Sequence, residues 1–71
     1  MAIHRQLALC MRIRALREKA GISQRQVAEE LGVSQAAYSR LETGEIELSI
    51  NKLFALSELY EVPLQKLIEG I

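Results

Sequence analysis

The chain reads as all-α, a bundle of five short helices, on three observations. Apolar residues recur at helical spacing from end to end; Gly21, Gly32 and Gly44 interrupt the pattern; and Ser23, Ser34 and Ser49 stand where new helices would begin. No internal repeat, linker or low-complexity tract divides the 71 residues, so they are expected to form a single domain, 1–71. A chain this short buries only about 60% of its unfolded surface, and dimerisation is the simplest way to supplement so small a core.

The first helix is predicted from about Ile3 to Ala20, with Leu9, Ile13, Leu16 and Ala20 forming one apolar stripe at spacings of four, three and four. Ile3, Leu7 and Cys10 form a second stripe, about 120° round the helix, that either widens a dimer seam or packs on the last helix of the same chain. Gly21 ends this helix. Ser23 followed by Gln26 has capping-box spacing, so the second helix is predicted from Gln24 to about Leu31. Val27 and Leu31 give it an inner face, and Ala28 is small where a neighbouring helix must come close. Gly32 suits the positive φ of a helix end, Val33 turns inward as a plug, and Ser34 caps a third helix over about Gln35 to Glu42. Thr43 and Gly44 close it, and a loop spans Glu45 to Leu48. Under a Ser49 cap, a fourth helix runs from Ile50 to about Tyr60, with Ile50, Leu53, Phe54, Leu56 and Tyr60 available to the core. Pro63 suits the first turn of a fifth helix over about 63–71, whose face carries Leu64, Leu67, Ile68 and Ile71. A monomer usually needs only part of such a stripe, and these four residues are the candidate homodimer interface.

Composition narrows the function. One cysteine excludes an internal disulfide, no stretch of some 18 apolar residues could span a membrane, and nothing resembles a signal peptide, so a reducing, cytoplasmic setting is expected. One histidine, one cysteine and no aspartate leave no catalytic or metal cluster, and neither an enzyme nor a cofactor is expected. His4 reads as solvent-facing, and Cys10 as a small buried apolar residue. The net charge of zero hides a polarity: residues 1–40 carry +4 and residues 41–71 carry −4. The positive half holds the second and third helices, where a nucleic-acid partner would need cations.

Residues Gln24 to Leu41 carry the pattern of a helix-turn-helix, with Val27, Ala28, Leu31, Val33, Tyr38 and Leu41 inward and Gly32 at the break. Such a unit holds its second helix out toward a groove in DNA. The motif is placed at about 24–43. With Met11-Arg-Ile-Arg-Ala-Leu-Arg-Glu-Lys-Ala-Gly-Ile-Ser-Gln24 before it and Leu41-Glu-Thr-Gly44 after it, the chain resembles the phage repressor and Cro type of helix-turn-helix protein, the xenobiotic-response-element family, over roughly Leu9 to Ile68. The resemblance implies a five-helix DNA-binding fold and transcriptional regulation.

With Tyr38 and Leu41 turned to the core, Gln35, Ala36, Ser39 and Arg40 remain as candidate base readers. A glutamine amide matches the N6 and N7 edge of adenine, an arginine matches O6 and N7 of guanine, and Ala36 could only meet a thymine methyl. The resemblance places base contacts on Gln35, Ala36 and Arg40, and assigns Gln24 a phosphate contact and the bracing of Gln35. Ser23, Thr43 and Lys52 are further phosphate candidates, near helix starts where orphan amides favour anions or beside the third helix. Arg12, Arg14 and Lys19 read as solvated. By resemblance Arg17 and Glu42 form a partly buried ion pair joining the first helix to the end of the third. The loop departs from the family, placing Glu45, Glu47 and Leu48 where relatives commonly carry basic residues and a proline.

The leading expectation is a sequence-specific regulator that binds an inverted repeat in double-stranded DNA as a homodimer. The rival is an interaction module on the same scaffold, such as an antitoxin or a partner of the transcription machinery, binding a toxin, a sigma factor or another RNA polymerase subunit.

Overall fold

The computed structural model describes the backbone of residues 2–71 and the side chains from Arg5 onward, so the expectations for the Ile3 and His4 side chains lie outside the described residues. Its elements are α1 (Ala2–Ala20), α2 (Gln24–Leu31), α3 (Gln35–Thr43), α4 (Ile50–Tyr60) and α5 (Leu64–Leu67), with no strand among the described residues.

The helix boundaries follow from caps. Ser23 Oγ accepts from the Gln26 amide and the Gln26 side chain accepts from the Ser23 amide, completing the capping box of α2. Ser34 and Ser49 cap α3 and α4 in the same way, through the amides of Ala37 and Lys52. Gly32 lies at φ 70°, which lets the Val33 N–H turn back to the Ala28 carbonyl and aims Val33 at the core.

The core is built from Ile13 of α1, Val27, Ala28 and Leu31 of α2, Tyr38 and Leu41 of α3, Leu56 of α4 and Leu67 of α5. Three expectations need correction. Ala20 is exposed, so the inward stripe of α1 ends at Leu16. Ile50 and Phe54 of α4 are 57% and 50% exposed rather than in the core. Leu56, with Ala55, Leu59 and Tyr60 beside it, takes the inward side, and the exposed Asn51 and Glu58 lie opposite it.

The third correction concerns the C-terminus. Only one helical turn forms, with Pro63 as the preceding cap residue, and the chain turns at Ile68–Gly70 instead of continuing the helix to Ile71. The helix stops as Ile68 leaves helical backbone and Gly70 takes φ 79°; Arg12 Nη1 donates to the carbonyls of Leu67 and Glu69 there, and the Ile71 N–H turns back to Ile68. Arg12 is thus a tie between α1 and the C-terminal segment, not the solvated cation its position suggested. Of the four candidate interface residues, Leu67 is fully buried in the core and Leu64 packs against it, while Ile71 is half-buried and Ile68 is exposed. Leu7 and Cys10 lie beside Gly44, and Gln6 Nε2 donates to the Gly44 carbonyl at 2.9 Å.

Candidate nucleic-acid interface

Tyr38, Leu41 and Glu42 are the buried residues of α3. Gln35, Ala36 and Arg40 are exposed and Ser39 is half-buried, so the four candidate readers span an arc of about 140° on the opposite side of the helix. An α-helix presenting its first turns this way fits a major groove. Arg40 does not stand free: its Nε lies 3.9 Å from a Glu45 carboxylate oxygen, with both side chains well exposed. At that exposure the pair is weak, so Arg40 can leave it at little cost.

The candidate phosphate contacts divide. Ser23 and Thr43 are exposed and Lys52 is half-buried. The Ser23 hydroxyl is already an acceptor in the α2 cap, and the Thr43 hydroxyl donates back to the Arg40 carbonyl at 3.1 Å. Arg25, one residue into α2 from Gln24, lies 3.6 Å from Glu29 in another exposed pair. Gln24 differs from the expectation. Its Nε2 donates inward to Glu42 Oε1 at 3.1 Å, and no hydrogen bond joins it to Gln35.

Glu42 is the centre of the polar part of the structure. Arg17 grips it with two bonds, Nε to Oε2 at 2.6 Å and Nη2 to Oε1 at 3.2 Å, and also donates to the Ile22 carbonyl. The two side chains are 13% and 3% exposed, so α1, the turn before α2 and the end of α3 are locked by a desolvated pair. Burial pushes the Glu42 carboxyl upward, but the Arg17 hydrogen bonds, with the nearby Tyr38 hydroxyl and the Gln24 amide, outweigh it and hold the group below its ordinary value. Burial raises the Tyr38 and Tyr60 phenols, which lie close to this carboxylate without a hydrogen bond of regular geometry, so both stay neutral. Burial also raises the Cys10 thiol, which disfavours the nucleophilic thiolate. Among the described residues no group of histidine, cysteine or acidic side chains could hold a metal ion, and no helix is long and apolar enough to cross a membrane.

Two features of the site had no signal in the sequence. Gln24 sits 18 positions from Glu42, and nothing in their spacing marks them as partners. The contact of Glu45 with Arg40 depends on the path of the loop after Gly44, where Ile46 N–H returns to the Arg40 carbonyl.

Comparison with known proteins bears on the same elements. A helix-turn-helix family profile matches residues 13–67, from the middle of α1 to the end of α5. A protein of Pyrococcus furiosus that carries the name of an HTH-type transcriptional regulatory protein is 45% identical over 58 residues, which is 82% of this chain. The matched part is 18% of that relative, so the chain spans under a fifth of its length. Among solved structures, the P22 c2 repressor protein, crystallised in complex with a synthetic operator, superposes with a TM-score of 0.76 at 35% identity, covering 89% of this chain and 96% of the repressor chain. Family and fold are those of DNA-binding regulators and not of enzymes. With its five helices, its capped α2–turn–α3 unit and these matches, the chain belongs to the helix-turn-helix family of the xenobiotic-response-element type.

Proposed function

We propose that this chain is a sequence-specific DNA-binding transcriptional regulator that inserts α3 into the major groove. The observation that carries this reading is the exposed face of α3, where Gln35, Ala36, Ser39 and Arg40 stand together on a helix whose other face is fixed in the core. The likeness to a repressor solved on its operator supports it. In this reading Gln35 and Arg40 contact base edges, and Ser39 and Ala36 fill the space between them. Gln24, with Ser23, Thr43 and Lys52, lies against phosphates, aided by the positive end of α2.

The active form in this reading is a two-fold dimer on an inverted repeat. Exposed apolar side chains supply the reason: Ile68 after α5, and Ile46, Ile50 and Phe54 before and along α4, cost free energy in water that a second copy would remove on both partners at once. The interface is therefore assigned to these residues, with Leu67 left out because it belongs to the core.

Selection of bound DNA from a random-sequence pool tests the reading. An enriched inverted repeat, bound with an affinity that falls steeply with salt, is the expected result, since each neutralised phosphate contributes a slope of about −0.9. An unenriched pool would instead favour a protein partner for this scaffold.

A further inference from the structure

Three elements meet at one carboxylate. Glu42, at the end of α3, receives Gln24 from the first residue of α2 and Arg17 from α1. An ionised carboxylate only accepts, so the Gln24 amide has to turn its nitrogen inward, and this fixes which atoms remain outside: the carbonyl Oε1 and the second N–H. The amides of Ser23 and Gln26 are engaged in the capping box and that of Val27 returns to the Ser23 carbonyl. The Gln24 and Arg25 amides are left at the open end of the helix, where an anion would be drawn.

We propose that Glu42 is a positioning residue for phosphate binding at the start of α2: anchored by Arg17, it holds Gln24 Nε2 and so presets the amide that faces the DNA backbone. The inference rests on the DNA-binding reading above. Its physical content is that the free rotor of Gln24 is immobilised before DNA arrives, so the ordering cost is already met by folding rather than drawn from binding. A second consequence is that the last turn of α3 and the first turn of α2 move as one unit, because both are tied to the same buried oxygen atoms.

Arg17→Met with Glu42→Leu removes the charges together, which leaves no uncompensated buried ion. In the full chain, Gln24→Ala is combined with this pair and affinity for the selected DNA is measured at fixed salt, after circular dichroism shows each variant folded. Gln24→Ala is expected to weaken the parent by about tenfold on the site and on its single-base variants alike, and to cost much less when Glu42 is already gone. Equal losses in both backgrounds would overturn the proposal. Hydrogen exchange of the Gln24 side-chain amide in the parent gives an answer that does not depend on the variants folding. Protection relative to the exposed Gln35 amide in the DNA-free protein is expected, and exchange as fast as that of Gln35 would overturn it. Failure to enrich any DNA sequence would defeat the regulator reading itself, whereas tight binding with additive losses defeats only this inference.

Discussion

The residue that most determines how the site is held is Glu42, and two predictions concern it. Arg17→Met and Glu42→Leu should each cost roughly 3–5 kcal/mol, because each leaves its partner charged and buried, while the double substitution recovers much of the loss. Urea unfolding of the four proteins gives the coupling energy, and a value near zero would mean that the pair is not formed in solution. The same carboxylate sets a pH dependence. Its value in the fold is below that of the unfolded chain, near 4.3 for a free glutamate, so its stabilisation is fully present above that range and is lost as pH falls through the lower folded value. Stability should therefore decline below about pH 4.5 in the parent and decline less in the double variant. At this scale the sequence spoke unevenly. Arg17 and Glu42 were paired by family resemblance, and the geometry has them in contact. Arg12 looked solvated because a lone arginine on a helix gives no sign that a distant carbonyl will need it.

Elements were the most legible level, because their ends depend on short-range chemistry. Ser23, Ser34 and Ser49 each cap the helix that the spacing predicted, and Gly21, Gly32 and Gly44 each stand at positive φ where a helix stops. The space around Gly32 is open, so a methyl group there would meet nothing within 4 Å and the cost of Gly32→Ala is conformational. We expect it to lower stability by about 1 kcal/mol, the left-handed penalty less the gain from a stiffer unfolded chain, with DNA preference unchanged. Thermal unfolding checks the first part, and a neutral substitution would contradict the assigned φ. The inward face of α4 was legible from its polar residues, since Asn51 and Glu58 fall together at helical spacing with Leu56 and Tyr60 opposite them, and counting Ile50 and Phe54 toward the core overlooked that side. The fifth helix was overextended because apolar spacing continues to Ile71, whereas the backbone leaves the helix at Ile68 and Gly70 stands at φ 79°.

For the whole molecule, the dimer interface assigned to the exposed apolar residues of α4 and its flanks is open to substitution. Ile50→Asp with Phe54→Asp, and Ile46→Asp with Ile68→Asp, should each be compared with the parent by light scattering. The assigned interface predicts a dimeric parent and a monomer from at least one pair of substitutions; equal dimer masses throughout would place the contact elsewhere. In such a dimer the two copies of α3 should lie about 34 Å apart, matching half-sites about 10 base pairs apart. The charge polarity of the chain does not orient this dimer by itself: the positive charge lies on α1, with Arg5, Arg12, Arg14, Arg17 and Lys19 against Glu18, whereas α2 and α3 carry Arg25 and Arg40 against Glu29, Glu30 and Glu42. The central claim is that α3 reads bases while Gln24 holds backbone, and titration of Gln35→Ala and Gln24→Ala against the selected site and its single-base variants tests it most directly. Gln35→Ala should cost about 1–3 kcal/mol on the selected site and flatten the preference at one position, while Gln24→Ala should weaken every sequence by a similar factor. If Gln35→Ala leaves the ranking of the variants unchanged, α3 is not the reading element and the account is wrong.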